Sequence, residues 1–241
     1  MREARMSKAR EQFEAALSAV QQAAFARYYA LLVEWNERMN LTAVTEESEV
    51  YIKHFWDSLL ALRVPEFTET LGEAGKLADV GTGAGFPGLP LAICCPQVHV
   101  VLMDSLQKRT RFLEAVVGEL GLKNVTVVHG RAEDLARDDT WRQRFDVVVS
   151  RAVARLNVLL ELTVPFVRPG GCVLAYKGPQ LDEELPDGRR AAGQLSAKIE
   201  RVERTSLPMG EGERTLAVIR VEGTVSPTFP RKAGTPQRRP L

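Results

Sequence analysis

The segment LADVGTGAGFPGLPLAI, residues 77–93, sets Gly81, Gly83, Gly85 and Gly88 within eight residues, between an apolar run and a helix-like one. Glycines in that position let the chain turn tightly at a strand end and let a ligand approach with no Cβ in the way. A strand, a glycine loop and a helix in succession belong to layered α/β folds. The rest of the chain agrees. Runs of β-branched and apolar residues recur at 76–81, 98–104, 125–130, 145–150, 172–177 and 215–221, and their near-continuous apolarity suits strands covered on both faces. Between them, helices are predicted at about 87–95, 107–120, 133–143, 155–167 and 182–198. This alternation predicts a doubly wound, mostly parallel, Rossmann-like α/β sheet.

Before the first strand, from Ser7 to about Leu62, apolar residues recur at three and four (Phe13, Leu17, Val20, Ala24, Tyr28, Leu31, Leu32, Trp35), which is helical periodicity. After Glu222 the chain carries four prolines and four basic residues and no acid, and reads as an irregular tail lying on the body or ordered by a partner. The expected division is therefore a helical segment over 1–72 packed on a main domain over 73–222, with a basic, proline-rich tail over 223–241.

Composition narrows the classes. With 32 basic and 31 acidic residues the net charge is +1, so any nucleic-acid surface must be local. Three cysteines, two of them the adjacent Cys94 and Cys95, give neither a disulfide framework nor a zinc spacing, and no metal is expected. The N-terminus lacks an apolar signal region and no later run is long enough to span a bilayer, so a soluble cytoplasmic protein is expected.

Two registers of the glycine loop compete. Gly83, Gly85 and Gly88 satisfy G-x-G-x-x-G, the dinucleotide pattern, but counted from the strand end at Gly81 the third position is Phe86, and Pro87 falls where a helix should open onto a pyrophosphate. The other register is D-x-G-x-G-x-G over Asp79, Gly81, Gly83 and Gly85. It suits a ligand without phosphate, an amino acid joined to a ribose, which describes S-adenosylmethionine. Asp104 then ends the second strand, beside Ser105, where a carboxylate accepts ribose hydroxyls. Glu133 and Asp134 follow the third strand, where a carboxylate accepts an adenine amino group while a backbone N–H, that of Ala132, reads a ring nitrogen. Taken singly, each acid is better explained as a cap or a solvated charge, Asp134 most of all as a helix N-cap.

The fourth strand ends in FDVVVSRAVARL, so Ser150, Arg151 and Ala152 should line the acceptor site. No Asp/Asn-Pro-Pro-aromatic turn and no cysteine stand there. Arg151, always protonated, is no base but is a good clamp for an acceptor-rich edge or a phosphate. That combination predicts a nucleophile with a free lone pair, such as a purine ring nitrogen, reacting through alignment and desolvation. Lys177 closes the fifth strand on the same sheet edge. Arg109, at the start of a helix, is expected on a solvated face.

The blocks NLTAVTEESEVYIKHFWDSL, DVGTGAGFPGLPLAI, DSLQKRTRFLEAV, GRAEDL, FDVVVSRAVARL and FPRKAGTPQRRPL together resemble, in order, those of the bacterial small-subunit ribosomal RNA guanine-N7 methyltransferases, also called glucose-inhibited division protein B. The likeness runs from about Asn40 to Leu241. It implies a class I methyltransferase fold, S-adenosylmethionine as methyl donor, and methylation at N7 of one guanine of 16S rRNA in the small ribosomal subunit or its assembly intermediate. It further implies cofactor contacts from Gly81, Phe86, Asp104, Ala132, Glu133 and Arg151. On the substrate side it implies Asn40, His54, Asp57, Arg151 and Lys177, with Arg231, Lys232, Arg238 and Arg239 of the tail as an RNA arm. Arg151, His54 and Lys177 are the expected catalytic group. Phe229 stands where many relatives carry tyrosine. Nothing resembles a coiled-coil seam, so a monomer is expected. Two rivals are a nicotinamide-dependent oxidoreductase and a non-catalytic RNA-binding assembly factor.

Overall fold

The structure, a computed structural model, describes residues 2–241; Met1, the first residue of the expected segment 1–72, lies outside the described residues. Two long helices open the chain, α1 (Arg2–Ala15) and α2 (Ala19–Met39). Ser18 caps α2 in a reciprocal capping box with Gln21, and Asn40 ends it in the left-handed conformation, φ 50°. A single broken helix follows: α3 (Glu47–Val50), a wide π turn over Tyr51–Trp56, α4 (Asp57–Leu59) and a 3-10 turn over Leu60–Arg63. The π turn advances its side chains less per turn and so brings Lys53, His54 and Asp57 toward the sheet edge, a common use of such bulges. Helix α5 (Pro65–Leu71) leads into the sheet.

The sheet comprises β1 (Lys76–Val80), β2 (His99–Asp104), β3 (Val125–His129), β4 (Phe145–Arg151), β5 (Val167–Lys177), β6 (Ala197–Ser206) and β7 (Glu213–Val221). The intervening helices are α6 (Gly88–Cys94), α7 (Gln107–Leu120), α8 (Ala132–Leu135), α9 (Leu156–Thr163) and α10 (Leu181–Gln194); α11 (Thr235–Arg238) lies in the tail. Strand order is β3-β2-β1-β4-β5-β7-β6, parallel from β3 to β5, with β7 antiparallel to β5 and to β6. The expected doubly wound, mostly parallel α/β sheet is the one found. Its order reverses between β1 and β4, which leaves a crevice at the carboxyl ends of those strands, where open α/β sheets bind ligands.

The two faces explain the apolar runs. Leu77, Val100, Leu102, Val147 and Val149 point to one side, against α2, α6, α7 and the broken helix; Ala78, Val80, Val101, Met103 and Val148 point to the other, against α9 and α10. The N-terminal helices are thus part of one apolar core with the sheet, through Phe25, Tyr28 and Phe55.

Three expectations need correction. Strand β6 was not anticipated; it is an edge strand whose register shifts between Ile199 and Arg201, and the bulge breaks the two-residue alternation that would have marked it. The helix expected over 133–143 stops at Leu135, because Asp138 accepts the Thr140 N–H at 2.8 Å and Gln143 takes φ 51°, both turn conformations. The expected helix over 182–198 ends at Gln194, and Ser196, at φ 55°, turns the chain out of the helical path just before β6.

Candidate active site

The loop after β1 is organised from beneath. Asp79 is fully buried, and its Oδ2 accepts the Thr82 hydroxyl at 2.6 Å and the Gly88 N–H at 2.8 Å, tying both ends of the glycine run to the strand. A Cβ on Gly88 would lie 2.8 Å from that oxygen, so the fourth glycine serves close packing on Asp79. Gly81, Gly83 and Gly85 all have positive φ. Burial pushes the Asp79 carboxyl up to about 6, against the pull of its two hydrogen bonds, and its Oδ1 has no partner.

Beside the loop lies a cavity of about 150 Å³ lined by Gly81, Met103, Asp104, Ser105, Ala132 and Glu133, with Val153 closing over it. A Cβ on Gly81 would lie 2.6 Å from Val153 Cγ2, whereas a Cβ on Gly83 would meet nothing. Asp104 ends β2 as expected, nearly buried, and accepts the Gly83 and Leu106 N–H groups, each at 2.9 Å. Arg109 is corrected here: it is not on a free solvated face but reaches Asp104 at 3.3 Å. Asp134 is not an N-cap either; Arg131 occupies that position, and Asp134 lies inside the first turn of α8. Glu133 Oε1 accepts the Gly234 N–H at 2.8 Å, so the tail reaches the rim of this cavity.

A second cavity, about 500 Å³, opens at the ends of β4 and β5 and is lined by Lys53, His54, Asp57, Arg151, Lys177 and Arg214, among others. Arg151 is the hub. Its Nη1 donates to Asp57 Oδ2 at 2.7 Å and to the Lys53 carbonyl at 3.3 Å, and its guanidinium lies over the Phe86 ring at 5.1 Å. Phe86 also stacks on His54 (4.5 Å between centroids) and on Tyr28 (5.4 Å), and the Tyr28 hydroxyl donates to the Ala84 carbonyl. Helix α2, the glycine loop, the π turn and β4 therefore meet in one stack.

The His54 ring lies 2.9 Å from the Thr42 hydroxyl. Burial, reinforced by the charge on Arg151, pushes its imidazole down to about 3, so it is neutral at any physiological pH. Because the unfolded chain takes up this proton near pH 6.5, the contribution of His54 is complete above that pH and falls as pH drops toward 3. Asp79, raised in the fold, works in the opposite sense, gaining stability as pH falls from about 6 toward 4. In the His54→Gln protein the loss of stability on going from pH 7 to pH 5 should shrink by about 2 kcal/mol. Urea unfolding at the two pH values checks this; an unchanged difference would mean that His54 is solvated.

Lys177 is held by the Ala154 carbonyl at 2.9 Å and by Glu184 at 2.7 Å, and Glu184 also accepts the Leu156 N–H. It thus fastens the turn that carries Ala152 (φ 56°) and Val153 between the two cavities. Asn40 is not among the residues lining either cavity; it is the exposed C-cap of α2. The tail is ordered on the body, not loose. Arg142 donates to the carbonyls of Val225, Ser226 and Phe229, and Arg137 to that of Pro230. Arg231, expected to face RNA, turns inward: its backbone N–H and Nε both donate to Glu161 Oε1 at 2.8 Å. Lys232, Arg238 and Arg239 remain exposed. Sequence reasoning missed Tyr28 and Arg214; Tyr28 is indistinguishable from its neighbours in the apolar stripe of a helix, and Arg214 sits in a charged loop-to-strand stretch with no motif.

The family model described as rRNA small subunit methyltransferase G (GidB) matches residues 21–215. The chain belongs to this family. A curated member from Geobacillus thermodenitrificans, named ribosomal RNA small subunit methyltransferase G, is 48% identical over 225 residues, 93% of each chain. One from Lactococcus lactis subsp. lactis, of the same name, is 45% identical over 230 residues, 95% of each chain. Among solved structures, cofactor-bound Rv0187 from MTB aligns with a TM-score of 0.58 at 19% identity, covering 84% of this chain and 91% of that one, a likeness of fold alone. The methyltransferase reading of the glycine loop thereby stands over the nicotinamide one. Among the described residues no cluster of side chains suited to a metal ion occurs, and no helix is long and apolar enough to cross a membrane.

Proposed function

We propose that the chain transfers a methyl group from S-adenosylmethionine to N7 of a guanine in 16S rRNA of the small ribosomal subunit, acting as a monomer in the cytoplasm. The chemistry of the smaller cavity suits the adenosine part of the cofactor. Gly81 lines the cavity where a Cβ would crowd Val153, and two carboxylates at adjacent strand ends, Asp104 and Glu133, suit ribose hydroxyls and an adenine amino group. Asp79, Gly85, Phe86, Ser105, Ala132 and Arg151 complete the proposed holding set. When bound, S-adenosylmethionine supplies an electrophilic methyl group and its own leaving group.

One observation carries the choice of acceptor: no group lining the larger cavity is fit to remove a proton. His54 is neutral with an imidazole pushed down to about 3, a feeble base. Asp57 is pinned by two arginines and Glu184 by Lys177. Burial holds the Tyr176 hydroxyl protonated, donating to the Ser58 carbonyl. A ring nitrogen with an in-plane lone pair needs no base, and guanine N7 is such an atom. Arg151 then orients the acceptor, His54 and Phe86 wall its position against water, and Lys177 fixes the turn between the two cavities. The three parts of the chain take overlapping roles in this reading: 1–72 and 73–222 together wall the acceptor cavity, 73–222 also holds the cofactor, and 223–241 presents Lys232, Arg238 and Arg239 to RNA phosphates.

The test is transfer from labelled S-adenosylmethionine to small subunits from cells lacking the enzyme, with the RNA digested to nucleosides. Label should run as 7-methylguanosine. Label on any other nucleoside would refute the choice of atom, and cofactor binding without transfer to subunit or free rRNA would favour an assembly factor.

A further inference from the structure

Four cationic side chains line the acceptor cavity, and two of them share one anchor. Lys177 is matched by Glu184 at 2.7 Å, and Lys53 by Glu49 at 2.9 Å and Glu211 at 3.4 Å. Arg151 and Arg214, by contrast, share one carboxylate. Asp57 Oδ2 takes Arg151 Nη1 at 2.7 Å and Oδ1 takes Arg214 Nε at 2.8 Å, with the Asp57 side chain 4% exposed. Two guanidiniums thus divide the two oxygens of a single buried carboxylate at the wall of a concave site, an arrangement that favours an incoming anion.

The two arginines are not equally free to meet that anion. Arg151 lies over the Phe86 ring and beside His54, and its side chain is 15% exposed. Arg214 is 25% exposed; its Nε is fixed by Asp57 and its Nη1 donates to the Glu213 carbonyl at 2.9 Å, while its Nη2 makes no hydrogen bond to any described residue. A guanidinium held at Nε and open at Nη2 is already oriented, so little side-chain freedom remains to be lost when an oxyanion docks on it.

We propose that Arg214 is a phosphate-binding residue of the acceptor cavity, holding a phosphodiester of the RNA strand next to the nucleotide to be methylated. This rests on the methylase reading above. Asp57 is then a positioning residue for both guanidiniums, setting Arg151 toward the base and Arg214 toward the backbone. The other oxyanion at hand is the carboxylate of the cofactor, but Arg214 does not line the cofactor cavity.

The experiment compares the full-length protein with its Arg214→Gln and Arg214→Lys variants, measuring steady-state methyl transfer to small subunits, the salt dependence of subunit binding, and S-adenosylhomocysteine affinity by calorimetry. For R214Q, KM for the subunit should rise about tenfold or more, with a smaller fall in kcat. The slope of log K against log salt should flatten by about 0.7, the share of one phosphate. R214K should keep the slope and recover most of the KM, and both variants should bind the cofactor product as the parent does. A fall in kcat with KM and slope unchanged would overturn the proposal in favour of a purely positioning Arg214, and a lost affinity for S-adenosylhomocysteine would overturn it in favour of the cofactor carboxylate. Absence of transfer by the unmodified protein would instead refute the methylase reading on which the proposal stands.

Discussion

Arg151→Ala should lower kcat for methyl transfer at least a hundredfold, roughly the cost of removing one oriented charge from a catalytic site, while the protein still folds and loses cofactor affinity only modestly, since Arg151 is one of several residues in the proposed holding set and lines the other cavity. The structure explains why the two effects separate. Asp57, which would be stranded in the core if Arg151 were its sole partner, keeps the Arg214 Nε at 2.8 Å, so its charge stays compensated and the cost to stability should be about 1–2 kcal/mol and not the 3–5 of an orphaned buried ion. The acceptor, however, loses the only guanidinium held between Phe86 and the π turn. Single-turnover methylation, with thermal unfolding and cofactor calorimetry in parallel, reads both. Undiminished turnover would remove Arg151 from the site, and a protein that no longer folds would show that Arg214 does not stand in.

Arg231→Ala is expected to act on stability, and strongly. Glu161 has no exposed surface, and Arg231 meets both of its carboxylate oxygens from the tail. Losing that partner leaves a buried carboxylate with only the residue 231 N–H, at a cost of about 3 kcal/mol, the lower end for a broken buried pair because Arg231 itself is partly exposed. Glu161→Gln in the same background should restore part of the loss, since a neutral amide needs no counter-charge; urea unfolding of both proteins measures this, and a cost below about 0.5 kcal/mol for R231A would mean the pair is solvated. The same contact argues against removing 229–241 to test an RNA arm. That deletion would also strip Gly234 from Glu133 at the cofactor rim, whereas neutralising Lys232, Arg238 and Arg239 leaves the anchors in place.

The sheet was readable because its central strands are buried on both faces, so their apolar runs are uninterrupted and need no knowledge of partners. The smaller cavity was readable for a related reason: several of its lining residues sit at strand ends, and strand ends are marked in sequence by the switch from β-branched residues to Gly81, Asp104 and the Arg131–Glu133 stretch. Edge strand β6 has one solvated face, charged residues and a bulge, and none of these leaves a period to find. The acceptor cavity was legible only residue by residue. Asp57 and Arg214 are 157 positions apart, and nothing local to either announces the pairing. Arg231 illustrates the opposite failure, a basic residue in a basic tail whose direction depends on a single buried glutamate 70 positions earlier.

The stack of Tyr28, Phe86, His54 and Arg151 also bears on the order in which the enzyme comes into being during synthesis. Helix α2 leaves the ribosome before the other parts of the stack, with Phe25 and Tyr28 lacking their later partners, and the loop that Tyr28 anchors at Ala84 follows more than fifty residues behind. Arg151 arrives later still, at the end of the fourth strand. The acceptor wall therefore cannot form on a nascent N-terminal piece, nor on a free α/β body. That wall is complete only when α2 packs against residues translated long after it.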